Sequence, residues 1–426
     1  MISRPLTTDE KHYLIEHMGT VFGICLESPK FIPEYVRLLQ KTIVGLNVRR
    51  DGEYMVSLNR PSEVQQLPKN LKNLEEACTW LSHNHLPYST SFATIAANDK
   101  MICVAASHLI ADGTCYKETL NFIQHPEIIP EMPSLPIPFN KEFKKEIDET
   151  DINYPYFDFS SQTVIYPKKH QHNHLLKKPD VKNPVLVTTF RNSMEKLVCF
   201  DPISKTAKNL TRHLWLALTL SMNAFNGKLS KIGLACPVNL RPKSLENFYL
   251  NLKSNPKSNI NLNQQYNPLL YPNLFSNCWF STPCNANLTC SEIAQNLYND
   301  FRYRCKRGDL FAYRNPKIIR EKSDKCSRSE VSNLGVLSFQ KPIIDAWAQI
   351  TVHDKNAALI SLLSFTLNDK NLKKNTICGK IRISPSQMLP EELKMLENAI
   401  KHYLFHINPK TTTLKDAYNE LCSFFK

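Results

Sequence analysis

MICVAASHLIADGTCYKETLNFI, residues 101–123, passes through three kinds of local structure in one short span. MICVAAS is an apolar run of strand length. HLIADG, residues 108–113, then spends one of the chain's ten glycines on a turn. TCYKETLNFI returns to helical periodicity. Upstream, SFATIAAND at 91–99 is a second apolar run, and its junction at Asn98–Lys100 reads as a hairpin that delivers the HLIADG turn. A strand-to-helix loop of this kind can aim a side chain into a cleft. His108 stands at that place. An imidazole titrates near neutral pH, so it can take a proton from a hydroxyl or amine attacking a thioester and return it to the leaving thiolate. A structural histidine closing the strand is the plain alternative.

Outward from this segment, helices are expected at Pro33–Leu46, with Tyr35, Val36, Leu39, Ile43 and Leu46 as the apolar stripe, and around Leu74–His83. Thr7 and Glu10 fit a capping box ahead of KHYLIEHM. Residues 126–184 shift to proline, lysine and aromatics without a sustained period, which reads as a crossover. Beyond it, strands are expected at VLVTTF, KLVCF, KIGLACPVNL and LFSNCWFSTP, and a helix from Pro202 to Phe225. Further strands are expected at EVSNLGVLSF, AALISLLSFTL and NTICGKIRIS. Residues 244–273 read as a loop, SEIAQNLYNDFRYRCK as a helix, and the chain closes with helices at Pro390–His406 and Leu414–Phe424. Alternating helices and strands in both halves predict an α/β fold in two lobes, residues 1–165 and 185–426, joined by a linker at 166–184.

The net charge is +14, from 53 Lys and Arg against 39 Asp and Glu. No basic helical face or aromatic–basic interleaving accompanies it, so a solvated lysine-rich surface is expected and a nucleic-acid partner is not. The 13 cysteines are odd in number and scattered; the closest pairs, Cys278/Cys284 and Cys284/Cys290, lack metal-ligand spacing. Reduced thiols in a cytoplasmic protein are the expectation. The N-terminus has no apolar signal core, and LWLALTLSMNAF is too short to span a bilayer. His170, His172 and His174 alternate as HxHxH, but the flanking lysines favour an exposed linker over a metal site. No glycine-rich phosphate loop, GxSxG or HExxH occurs. No metal and no permanently bound cofactor is expected.

Four segments in order, RPL at Arg4–Leu6, HLIADG at His108–Gly113, PVNLRP at Pro237–Pro242 and SNLG at Ser332–Gly335, resemble the CoA-dependent acyltransferase superfamily over nearly the whole chain. That group includes chloramphenicol acetyltransferases, alcohol acetyltransferases, plant acyltransferases and condensation domains. Ser107 stands where condensation domains carry a further histidine, and the DFGWG segment of the plant enzymes is absent, so the pattern is nearest the alcohol acetyltransferase-like branch.

The resemblance implies two chloramphenicol acetyltransferase-like lobes, each a mixed β-sheet with flanking helices, and an active-site channel between them. It implies His108 as the base and Gly113 as the residue permitting the tight turn. Asp112 would be a structural support paired with Arg241, which is otherwise a surface cation after a strand. Ser332 and Asn333 would be oxyanion contacts; an Asn-Leu-Gly turn capping a strand explains them as well. The implied function is transfer of an acetyl or other short acyl group from acyl-CoA, a co-substrate, to a small alcohol or amine by a monomeric enzyme. Lysines or arginines at the channel mouth would hold the CoA phosphates, though which ones is open. A condensation-type enzyme using carrier-protein thioesters, or an inactive acyltransferase-fold binding protein, are the alternatives.

Overall fold

The computed structural model describes residues 2–15, 18–84, 91–166, 185–254, 266–318, 327–352, 359–385 and 387–426. The linker's histidines, His170, His172 and His174, lie outside them. Two sheets organise the chain. The first has five strands in the order Ile343–Val352, Met18–Leu26, Met101–Ser107, Ala93–Ala97, Val64–Gln66. The second runs Phe275–Thr282, Ile232–Asn239, Ser327–Phe339, Leu359–Asp369, Lys374–Ile383, Leu186–Ser193, with Val164–Ile165 pairing on the Ser327 strand. Parallel and antiparallel neighbours occur in both. The architecture is α/β in two lobes, as expected.

The 93–107 hairpin forms as read, with Ala93 opposite Ala106 and Ala97 opposite Ile102. Its second strand is buried at all seven positions because sheet neighbours flank it and helices cover it. The Thr7/Glu10 capping box is present: Thr7 N donates to Glu10 Oε2 at 2.8 Å and Glu10 N to Thr7 Oγ1 at 3.3 Å. Arg4 of the RPL segment grips the same carboxylate with both Nη atoms, at 2.6 and 2.8 Å.

The second sheet is apolar on both faces, each facing a different core. Val331, Ile360, Leu362, Ile381 and Ile383 enter the core built with Leu210–Phe225 and Pro390–His406. Phe365, Leu367 and Cys378, on the opposite face, enter the core of the first lobe with Trp347 and Leu74. One sheet therefore joins the two lobes.

Several expectations need correction. The chain does not divide in space at residues 166–184. Ile343–Val352, from the second half, pairs along its length with Met18–Leu26 of the first sheet. Conversely Phe139, Phe143, Ile147 and Ile165, from the first half, pack in the second core. The Ile343 strand was not anticipated at all. Asp345 and Gln349 interrupt its apolar pattern, yet Gln349 is buried because Lys380 Nζ and Trp347 Nε1 donate to its carbonyl.

KLVCF yields only the two-residue strand Phe200–Asp201, paired with Thr206–Ala207. That tight hairpin postpones the expected Pro202 helix to Leu210. Arg241–Ser254 is a helix where the loop had been read from residue 244, and residues 255–265 of that segment lie outside the described ones. Among the described residues, no helix is long and apolar enough to cross a membrane.

Candidate active site

His108 follows the Met101–Ser107 strand, and its backbone N–H donates to Met18 O at 2.9 Å, continuing the sheet by one residue. The next four residues turn the chain into the helix Gly113–Gln124, for which Asp112 is the N-cap, accepting Cys115 N on Oδ1 at 2.9 Å. Asp112 Oδ2 accepts two more donors, Arg241 Nη1 at 2.9 Å and Leu274 N at 2.9 Å. Arg241 in turn donates through Nη2 to Tyr271 O at 2.6 Å and lies 3.4 Å from Glu118 Oε2. Burial pushes the Glu118 carboxyl up to about 7, against the pull of Arg241. The expected Asp112–Arg241 pair is thus present, and it ties the HLIADG turn to the segment 271–274.

Gly113 has a different role from the one expected. Its φ is not in the left-handed region; instead a Cβ there would fall 2.1 Å from Leu334 Cδ2. The glycine lets the helix start approach the Ser327 strand closely, which is a packing requirement rather than a turn requirement.

The His108 ring stands between two aromatic walls. Tyr13 stacks on it with centroids 5.5 Å apart and 14° between planes, and Phe275 packs at 4.9 Å and 42°. Burial drives the imidazole pKa down to about 4; Arg314 and Arg382 push the same way, while the residue's own backbone and Asp112 oppose them. The ring is therefore neutral at physiological pH. Its Nδ1 is sealed from solvent and has no hydrogen-bond partner among the described residues.

A cavity of about 330 Å³ opens beside the ring, and Asp112, Gly113, Ser332 and Asn333 also line it. All the residues singled out as site candidates except Arg241 border this one space, and Arg241 acts through Asp112. Ser332 is buried and lines the cavity. Asn333 is committed elsewhere: its amide donates to Thr211 Oγ1 at 2.8 Å and its Oδ1 accepts Gly335 N at 3.0 Å. With Gly335 at φ +77°, this is the local turn that the SNLG segment allowed.

Sequence reasoning missed Arg314, Glu330 and Arg382, all nine-tenths buried and all on the cavity wall. Arg314 Nη2 donates to Phe275 O at 2.6 Å, and its guanidinium lies 5.5 Å from the Tyr13 ring and 5.0 Å from the Phe275 ring. It braces both walls of the histidine slot. A charged residue in a strand that is otherwise read as buried, as at Glu330 and Arg382, was the available signal.

No protein-family model matches this sequence, and no curated protein matches it. Solved structures do resemble it in shape. Polyketide synthase associated protein 5 from Mycobacterium tuberculosis superposes with a TM-score of 0.60 at 13% identity, covering 96% of this chain and 98% of that one. A mutant starter condensation domain of rhizomide synthetase RzmA, in complex with C8-CoA, superposes at 0.61 and 10% identity, covering 97% and 96%. The similarity spans both lobes, so this chain has the two-lobed α/β fold, with chloramphenicol acetyltransferase-like lobes, that these structures share.

Proposed function

We propose that the protein transfers an acyl group from acyl-CoA to the hydroxyl or amine of a small acceptor, with His108 as general base. The observation that carries this reading is a neutral, buried imidazole on the wall of a cavity between the lobes, in a turn braced by Asp112 and Arg241. With Nδ1 enclosed, Nε2 is the nitrogen assigned to the chemistry. It takes the acceptor proton as the acceptor oxygen or nitrogen bonds to the thioester carbonyl carbon. The carbonyl oxygen then carries the negative charge, and the role of stabilising it is assigned to the Ser332 hydroxyl, which lines the same cavity. Collapse of the tetrahedral intermediate breaks the C–S bond. The imidazolium returns its proton to the thiolate, leaving free CoA and the acylated acceptor.

Short acyl chains, acetyl foremost, are the proposed donors. Lys117, on the cavity wall one turn into the Gly113–Gln124 helix, is a cation in reach of a CoA entering from that side. The C8-CoA complex of the RzmA domain supports a thioester donor here by analogy of fold. The same likeness supports a second reading, in which the donor thioester is carried by a phosphopantetheinylated protein.

The test is release of free thiol from a panel of acyl-CoAs and acceptors, comparing native protein with His108→Ala. A loss of about 100-fold to 10,000-fold in the variant is expected. Unchanged turnover in the variant removes His108 as base. Turnover only with acyl-carrier protein selects the second reading. No thiol release with either donor favours a binding protein on an acyltransferase fold.

A further inference from the structure

Glu330, Ser361 and Arg382 occupy three neighbouring strands of the second sheet in direct register, Glu330 opposite Ser361 and Ser361 opposite Arg382. Their side chains therefore share one face of the sheet. It is the face that turns toward the first lobe, where Phe365, Leu367 and Cys378 become apolar core further along the strands. At the cavity end the same face is charged. Glu330 and Arg382 line the cavity while only 6% and 7% exposed, and Ser361 Oγ donates to Glu330 Oε1 at 3.1 Å.

The polar row continues on the other side of Glu330. Ala235 pairs with Glu330, and Pro237, two residues on, pairs with Asn277, which places Asn277 on the same face. Asn277 is 7% exposed, lines the cavity, and its Oδ1 has no hydrogen-bond partner among the described residues.

Burying a carboxylate and a guanidinium is costly, and an apolar pair of similar volume would stabilise the sheet as well or better. Arg382 adds its charge to the field on His108, but Glu330 and Asn277 build neither the histidine slot, which Tyr13, Phe275 and Arg314 form, nor the turn, which Asp112 and Arg241 hold. What remains for them is the molecule that fills the cavity. An aliphatic occupant would strip water from Glu330 and Asn277 and return no hydrogen bond. An occupant with a polar group at that point restores one. The penalty for leaving such groups unmade is what lets a polar site reject an apolar analogue.

We propose that the Glu330–Arg382 row, with Asn277, is the acceptor-recognition wall of this site and selects an acceptor with a second hydrogen-bonding group besides the one acylated, in preference to a plain alkanol. The inference rests on the acyl-transfer reading for the word acceptor, but its physical content is a binding preference that can be measured without turnover.

Ligand-observed NMR titration of the full-length protein with hexan-1-ol and with hexane-1,6-diol makes the comparison, because the two differ only in the second hydroxyl. The native protein is expected to bind the diol about 10-fold more tightly or better. Glu330→Leu should bring the two affinities within about twofold of each other. Glu330→Gln keeps a hydrogen-bonding group at nearly the same volume and should retain most of the preference, which separates recognition from a packing defect. Equal or tighter binding of hexan-1-ol by native protein, no measurable binding of either probe, or a diol preference that survives Glu330→Leu overturns the proposal. A diol preference without thiol release from any donor keeps the recognition wall and discards acyl transfer; His108-dependent thiol release without the preference does the reverse.

Discussion

Arg241 Nη1 lies 2.9 Å from Asp112 Oδ2 across 129 positions of sequence, with the two side chains only 4% and 5% exposed. The carboxylate is also the N-cap of Gly113–Gln124 and the acceptor for Leu274 N, so one group closes the helix, the turn and the 271–274 segment together. A buried pair whose carboxylate has three donors is costly to break from either side. Asp112→Ala and Arg241→Ala should each lose about 3 to 5 kcal/mol in denaturant unfolding. The double variant should lose less than the sum, and additive losses in the double-mutant cycle would contradict the coupling.

Gly113 makes a sharper prediction, since its role is contact with one side chain. Gly113→Ala should destabilise the protein by about 1 to 3 kcal/mol, as overpacking does, because Leu334 Cδ2 occupies the place of the new methyl. Adding Leu334→Ala should recover part of that loss. If the second substitution only adds to the damage, the close approach is not what the glycine serves.

Acid should destabilise the fold through histidines that are buried neutral. Burial lowers the pKa of both His108 and His213 to about 4, from an ordinary value of 6.5. Below 6.5 the unfolded chain binds protons that the folded chain refuses, so stability that is complete above that pH drains away as pH falls to 4. Each group can contribute on the order of 3 kcal/mol over this window. Urea midpoints at pH 7, 5.5 and 4.5 should fall in that order, and His213→Asn should flatten the decline. Glu118, whose carboxyl burial pushes up to about 7, works in the opposite sense but is common to both proteins, so a decline that His213→Asn leaves unchanged would mean that this ring is not held neutral.

Arg314 is predicted to tune His108 through the effect of its charge on the imidazole. The cavity beside the imidazole is also lined by Asp9 and Tyr13 on the helix Thr8–Ile15, Asp112 and Lys117 at the start of the Gly113 helix, Tyr313 and Arg314, and Glu330 and Arg382 on the sheet. Arg314→Met removes one of the two cations that lower the ring's pKa. The titration of the His108 ring, followed by NMR, should move to higher pH, and Arg314→Lys should restore part of the native position. An unchanged titration with a lower melting temperature would leave Arg314 a purely structural brace.

Truncation should fail for a reason of sheet topology. Residues 1–165 alone lack Ile343–Val352, so Met18–Leu26 becomes an unpaired edge and the core loses Trp347. That fragment should aggregate or remain unfolded when expressed alone, and co-expression with 185–426 should bring it into solution. A soluble, cooperatively folding 1–165 fragment would contradict the exchange of strands between the lobes.

The sequence alone determined those features that depend on neighbouring residues. An apolar run must end where HLIADG begins, Asp112 is a good N-cap for the TCYKETLNFI helix, and Thr7 and Glu10 satisfy each other three residues apart. The strand–turn–helix carrying His108 was legible for that reason, and so was the hairpin before it. Tertiary structure decided whatever joins distant positions. The Ile343 strand was hidden because its polar residues find partners only on another strand, Gln349 meeting Lys380, and local periodicity cannot record a partner 31 positions away. Gly113 looked like a turn residue because its neighbour in space, Leu334, is not its neighbour in sequence. Glu330 and Arg382 are charges in largely apolar strands until sheet pairing sets them on one face and the first lobe closes over them; only then do they become the wall of a cavity.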